Sequence, residues 1–148
     1  MKTTAKPVTI LMADDDPDDR MLMKKALDQN QTPHHLRFVE NGVDLTDYLP
    51  VRVNYLEEKA IKPALILLDL NMPKMDGREA LRLIKTDPEL RRIPVVVLTT
   101  SKAEEDIFIT YDLGVNSFIS KPARFHELVE VTREIENYWF GTVDLPSK

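Results

Sequence analysis

The sequence predicts an α/β domain built on a parallel sheet. Short runs of nearly continuous apolar residues recur along the chain, as in strands covered by helices on both faces. Between them lie segments with apolar residues at helical spacing. Such alternation of strand and helix implies parallel pairing with right-handed crossovers. A length of 148 residues suits one domain of this kind and leaves no room for a second of normal size.

The first strand covers residues 8–13. Pro17 suits a first helical turn, after which Leu22, Met23, Ala26 and Leu27 share a face. Residues 35–39 alternate in polarity and suit a sheet edge, and a helix is expected around 43–49. Residues 40–63 are more than one short helix requires, so 55–61 are a candidate for another before Pro63. The third strand is 64–68, followed after Gly77 by a helix whose stripe is Ala80, Leu81, Leu83 and Ile84. The fourth strand is 94–98. The next stripe, Ile107, Phe108, Thr110 and Tyr111, stops at Gly114, a C′ glycine. The fifth strand is 117–119, and the last helix carries Leu128, Val131, Ile135 and Trp139. Tyr138, Trp139 and Phe140 cannot all face inward, which leaves one side as a candidate homodimer or partner surface.

Composition narrows the function. There are 20 Lys+Arg against 25 Asp+Glu, a formal net charge of -5, which argues against a nucleic-acid or anionic-membrane binder. The absence of cysteine excludes disulfides, thiolate metal sites and Cys nucleophiles. His34, His35 and His126 are too few for a His-based metal site. No apolar run approaches the ~20 residues of a membrane span, and no export signal is evident. A soluble, cytoplasmic protein is expected. Gly42, Gly77, Gly114 and Gly141 are scattered, so there is no Gly-rich nucleotide loop, and Gly77 is expected to serve a backbone turn.

Ligands of open parallel sheets sit outside the carboxyl ends of the strands. Asp14 and Asp15 follow the first run, Asp69 the third, Thr99 and Thr100 the fourth, and Lys121-Pro122 the fifth, past Ser120. Three converging carboxylates repel and need a cation. An all-oxygen set with few carboxylates suits Mg2+ better than caged Ca2+. A lysine and a hydroxyl suit phosphoryl oxygens, and an Asp can itself be the nucleophile. The constellation reads as phosphoryl transfer onto an Asp. An EF-hand reading of the Asp run fails, because Asp19 stands where Gly is needed and Lys25 where Glu is needed. Asp16, Asp18 and Asp19 are expected to cap the following helix and complement its dipole.

Four motifs in order, Ala13-Asp14-Asp15-Asp16, Leu68-Asp69-Leu70-Asn71-Met72-Pro73, Val97-Leu98-Thr99-Thr100-Ser101 and Phe118-Ile119-Ser120-Lys121-Pro122, resemble the receiver domain of two-component response regulators. The resemblance implies the flavodoxin-like, CheY-like three-layer fold, five parallel strands in the order 2-1-3-4-5. It implies Asp69 as phospho-acceptor and Asp15, Asp69 and the Asn71 backbone carbonyl as Mg2+ ligands, with Asp14 acting through water. Thr99 and Lys121 would contact the phosphoryl group, Thr99 and Phe118 would form the switch, and Asn71 and Ser101 would tune dephosphorylation. The expected organisation is an N-terminal extension at 1–7, a receiver at 8–140 and a tail at 141–148 without an output domain. The implied partners are a sensor histidine kinase and a downstream protein or phosphotransfer protein. The stretch Thr99 to Ile107 and the ending Ile135 to Phe140 resemble most the single-domain regulators of phytochrome-type kinases.

Two alternatives differ in chemistry. A small aspartyl-phosphate hydrolase would use Asp14 as nucleophile in Asp14-Asp15-Asp16, but it carries a late acidic pair that this chain lacks after Lys121-Pro122. A pseudo-receiver would bind partners without phosphorylation, against which the full set of Asp14, Asp15, Asp69, Thr99 and Lys121 argues.

Overall fold

The computed structural model describes residues 7–54, 63–101 and 103–146. Five strands and five helices alternate: β1 (Thr9–Ala13), α1 (Pro17–Gln29), β2 (His35–Val39), α2 (Gly42–Asn54), β3 (Pro63–Leu68), α3 (Gly77–Thr86), β4 (Val95–Thr99), α4 (Glu104–Asp112), β5 (Ser117–Ser120) and α5 (Phe125–Asn137). The strands form one parallel sheet in the order β2-β1-β3-β4-β5, as the resemblance implies. The candidate helix at 55–61 lies outside the described residues.

The continuous apolar runs have the expected cause. Leu11, Ala13, Ile66, Leu68, Val95 and Val97 face a cluster with Leu45 and Leu49 of α2 and Ala80, Leu81 and Ile84 of α3. Their neighbours Ile10, Met12, Leu65, Leu67, Val96 and Leu98 face Met23 and Leu27 of α1 and Ile135 of α5. Every residue of β1 and β4 is buried, so a strand with an apolar residue at each position has no solvent face to supply. Only β2, at the edge, keeps exposed alternate positions, His35 and Arg37.

Local chemistry sets the helix ends. Asp16 caps α1, accepting from the Asp18 N–H, with Pro17 in the first turn. Asn41 accepts from the Asp44 N–H at 2.8 Å and returns a side-chain bond to Asp44, a reciprocal cap that starts α2. The helix then runs past Pro50 to Asn54, farther than the apolar pattern indicates. Gly114 has φ 105, the left-handed conformation expected of a glycine that ends α4. At Gly77 the requirement is space: a Cβ would lie 2.3 Å from the Asp69 carbonyl oxygen and 2.7 Å from the Leu70 Cα. The start of α3 therefore rests directly on the turn that carries Asp69.

Several stripes differ from the pattern read in sequence. Leu22 and Leu83 are exposed, leaving Met23, Ala26 and Leu27 to anchor α1 and Ala80, Leu81 and Ile84 to anchor α3. The larger correction is α4. Phe108, 72% exposed, and Tyr111 face solvent, and the buried positions are Asp106 and Thr110. Asp106 can take an inward position because it is paired there, and Thr110, one turn later, returns its hydroxyl to the Asp106 carbonyl. Apolar periodicity cannot register an inward face made of paired polar groups. After α5 the chain forms a π-helical turn, Tyr138–Thr142. Trp139 and Phe140 pack against the α1–α5 cluster while Tyr138 is exposed, so the three aromatics divide between inside and outside.

Gly77→Ala is expected to lower stability by about 1–3 kcal/mol through overpacking against rigid backbone. A urea midpoint equal to that of the unsubstituted chain would show that the α3–β3 approach relaxes freely.

Candidate metal and phosphoryl site

The ladder continues past the strand ends into the site. The Asp14 N–H donates to the Val39 carbonyl, the Asp69 N–H to the Ala13 carbonyl at 3.0 Å, and the Lys121 N–H to the Thr99 carbonyl at 2.7 Å. Backbone pairing thus fixes Asp14 beside Asp69 and Lys121 beside Thr99 before any side chain is considered.

Oxygens of Asp14, Asp15 and Asp69 lie within 4.8 Å of one another. Asp14 is fully buried. One of its oxygens accepts from the Asp16 N–H at 2.9 Å, the other from Lys121 Nζ at 2.7 Å. Burial pushes the Asp14 carboxyl up, against the lowering pull of the Lys121 hydrogen bond. Asp69 is nearly buried and accepts from the Thr99 hydroxyl at 2.9 Å through Oδ1, with Lys121 Nζ 3.7 Å from Oδ2. Asp15 is exposed. Lys121 also meets Asp19 at 2.7 Å. Burial alone would lower the Lys121 ammonium, but the hydrogen bonds to Asp14 and Asp19 hold it well above its ordinary value.

Three carboxylates thus face one ammonium, and Asp15 adds a fourth negative charge beside Asp14 and Asp69. The donors are all oxygen and the local charge is in deficit of cations, so the site fits a divalent hard ion. Asp14 thus has both oxygens engaged in hydrogen bonds.

The remaining predicted residues surround this centre. Asn71 is exposed, with its N–H directed at Asp69 Oδ1 from 3.5 Å. Phe118, opposite Val97 in register, is half-buried against the α2–α3 cluster, and its N–H meets the Tyr111 hydroxyl at 3.3 Å. Ser101 donates its hydroxyl to Asp106 at 2.6 Å. Thr100 is exposed.

Three residues with a part in the site's surroundings are missed by the sequence reading. Asp19 is expected to serve the α1 dipole, yet it reaches Lys121 from the first turn of the helix. Arg78 and Asp106 form a forked pair joining α3 to α4, with both bonds at 2.8 Å. The available signal is Arg78 itself: a cation in a helix's first turn opposes the dipole and implies a nearby anion.

Fold and site together define a flavodoxin-like domain with a divalent-cation site of carboxylates, a hydroxyl and a lysine at its strand ends. The chain belongs to the response regulator receiver domain family, which matches residues 10–133. It is 40% identical over 141 residues to response regulator Rcp1 of Synechocystis, covering 95% of each chain. Its fold is similar to that of the phosphorylated cyanobacterial phytochrome response regulator RcpA, with a TM-score of 0.85, 44% identity and coverage of 95% of this chain and 99% of that one. The Mn2+-bound form of Rcp1 gives a TM-score of 0.83 at 41% identity, again over 95% of this chain and 99% of the other. Among the described residues no helix is long and apolar enough to cross a membrane.

Lys121→Met is expected to destabilise the metal-free protein by about 3–5 kcal/mol, because it strands a fully buried carboxylate. Denaturation in urea without divalent ions measures this; an unchanged midpoint would mean that the Lys121–Asp14 pair adds nothing to stability.

Proposed function

We propose that this chain is a phosphorylation-controlled signalling receiver in which Asp69 accepts a phosphoryl group from a sensor histidine kinase. A carboxylate oxygen of Asp69 attacks phosphorus, the bond from phosphorus to the donor histidine nitrogen breaks, and an aspartyl-phosphate results. The observation that carries this reading is the setting of Asp69: nearly buried at a strand end, with a hydroxyl on one oxygen and an ammonium near the other. Thr99 and Lys121 are placed to follow the phosphoryl oxygens. Mg2+, with Asp15, Asp69 and the Asn71 carbonyl as ligands and Asp14 acting through water, would supply positive charge against the phosphoryl group. The resemblance to the Mn2+-bound Rcp1 supports a divalent ion there.

Thr99 and Phe118 act as the switch, remodelling the face made by α4, β5 and α5. Asn71 and Ser101, two residues past Asp69 and Thr99, set the lifetime of the phosphoryl group. Residues 8–140 form the receiver unit, with 1–7 and 141–148 flanking it. Similarity to the phytochrome response regulator RcpA supports a phytochrome-type kinase as the partner. Output passes to a downstream protein or phosphotransfer protein, and exposed Tyr138, Phe125, Tyr111 and Phe108 favour a protein contact, homodimeric or with a partner.

Incubation with Mg2+ and acetyl phosphate is expected to add one phosphoryl group by intact mass, and to add none in Asp69→Asn or with a chelator. Lys121→Met is expected to slow labelling by roughly 10²-fold. Labelling of Asp69→Asn at the normal rate would remove Asp69 from this role. For the homodimer, sedimentation should give a mass that rises with concentration and falls in Tyr138→Ser. A concentration-independent monomer mass, phosphorylated and not, would refute it.

A further inference from the structure

The α4 helix is attached differently from the others. Its inward residues are Asp106 and Thr110, and among the described residues its firmest bond to another helix is ionic: Arg78 Nε and Nη2 donate to the two oxygens of Asp106, each at 2.8 Å. A planar guanidinium on a carboxylate fixes direction as well as distance. Hydrogen bonds from Arg78 and then Ser101 hold the Asp106 carboxyl below the usual carboxylate range, so the pair is charged. Arg78 is itself tied down at its backbone. It follows Gly77, whose backbone rests on the Asp69 carbonyl, and its N–H donates to the α3 cap Asp76 at 2.9 Å.

These contacts close a ring. Asp69 Oδ1 holds the Thr99 hydroxyl. Two residues on, Ser101 donates to Asp106 Oδ2 at 2.6 Å. Asp106 holds Arg78, and Gly77 returns the path to the backbone of Asp69.

We propose that the Arg78–Asp106 fork locks α4 in the arrangement of the unphosphorylated protein, so that phosphorylation must work against it. This rests on Asp69 being the phospho-acceptor. The observed arrangement belongs to the free carboxylate, because Thr99 donates to the carboxylate itself. A phosphoryl group places its oxygens farther from Asp69, and Thr99 has to move to reach one. Ser101 travels on the same loop, and its bond to Asp106 is lost on a displacement beyond hydrogen-bond range. The helix cannot follow while Asp106 is forked to α3. One bond of the ring therefore breaks, and the phosphorylated arrangement lacks a contact that the free one has. Linkage then requires that deleting the contact in advance favours the phosphorylated arrangement.

The test is the equilibrium affinity for beryllofluoride in the presence of Mg2+, a phosphoryl mimic that does not hydrolyse, so lifetime does not enter. Arg78→Met is expected to bind about 5-fold tighter or more. Ser101→Ala, which leaves the ion pair intact, should also tighten binding, and the double variant should gain no more than the larger single effect. Unchanged or weaker affinity in Ser101→Ala, or additive gains in the double variant, would overturn the lock. Should Arg78→Met not fold, judged by its thermal melt, Ser101→Ala alone decides. A native chain that neither binds beryllofluoride nor is labelled by acetyl phosphate would instead overturn the phospho-acceptor reading, and the lock with it.

Discussion

Three carboxylates cannot share one rim of a sheet without something positive among them, and here that group is Lys121. Its ammonium sits between Asp14 and Asp19 and within 3.7 Å of Asp69. It thereby ties the end of β5 to the ends of β1 and β3 and to the first turn of α1. One ammonium cannot balance four acids, and the remaining deficit is what makes the rim receptive to a divalent cation. The same residue serves folding and chemistry: it makes the buried Asp14 tolerable and leaves a cation next to the oxygen of Asp69 that Thr99 does not occupy.

Much of this was legible in sequence because the sheet is central and the residues that matter terminate its strands. Runs such as that of β4 leave no reading except burial on both sides, and once strand ends are located, Asp14, Asp69, Thr99 and Lys121 follow by topology. What stayed hidden was polar pairing of helix side chains with distant parts of the chain. Asp19 and Asp106 look like ordinary first-turn acids, and only the three-dimensional path brings Lys121 to one and Arg78 to the other. The outward turn of Phe108 has the same cause, since the phase of α4 is decided by an ion pair and not by an apolar stripe.

The two sides of the site therefore differ in how they are held. Toward α1 and α3 the supports are apolar and closely packed, with Met23, Leu27, Leu81 and Ile84 buried against the sheet. Such packing tolerates little adjustment. Toward α4 the supports are hydrogen bonds and a fork between charges, which can be exchanged one for another without opening a cavity. A domain built this way can keep its acidic rim fixed while one neighbouring helix changes its attachments.

The edges of the sheet carry a further consequence. On one side β2 exposes His35 and Arg37, and on the other β5 has only four residues, two of them serines. Short or charged borders are poor templates for another strand. Recruitment of a neighbour by extending the sheet is thereby discouraged, and molecular contacts are directed to the helical faces, where a change at the acidic rim can be felt.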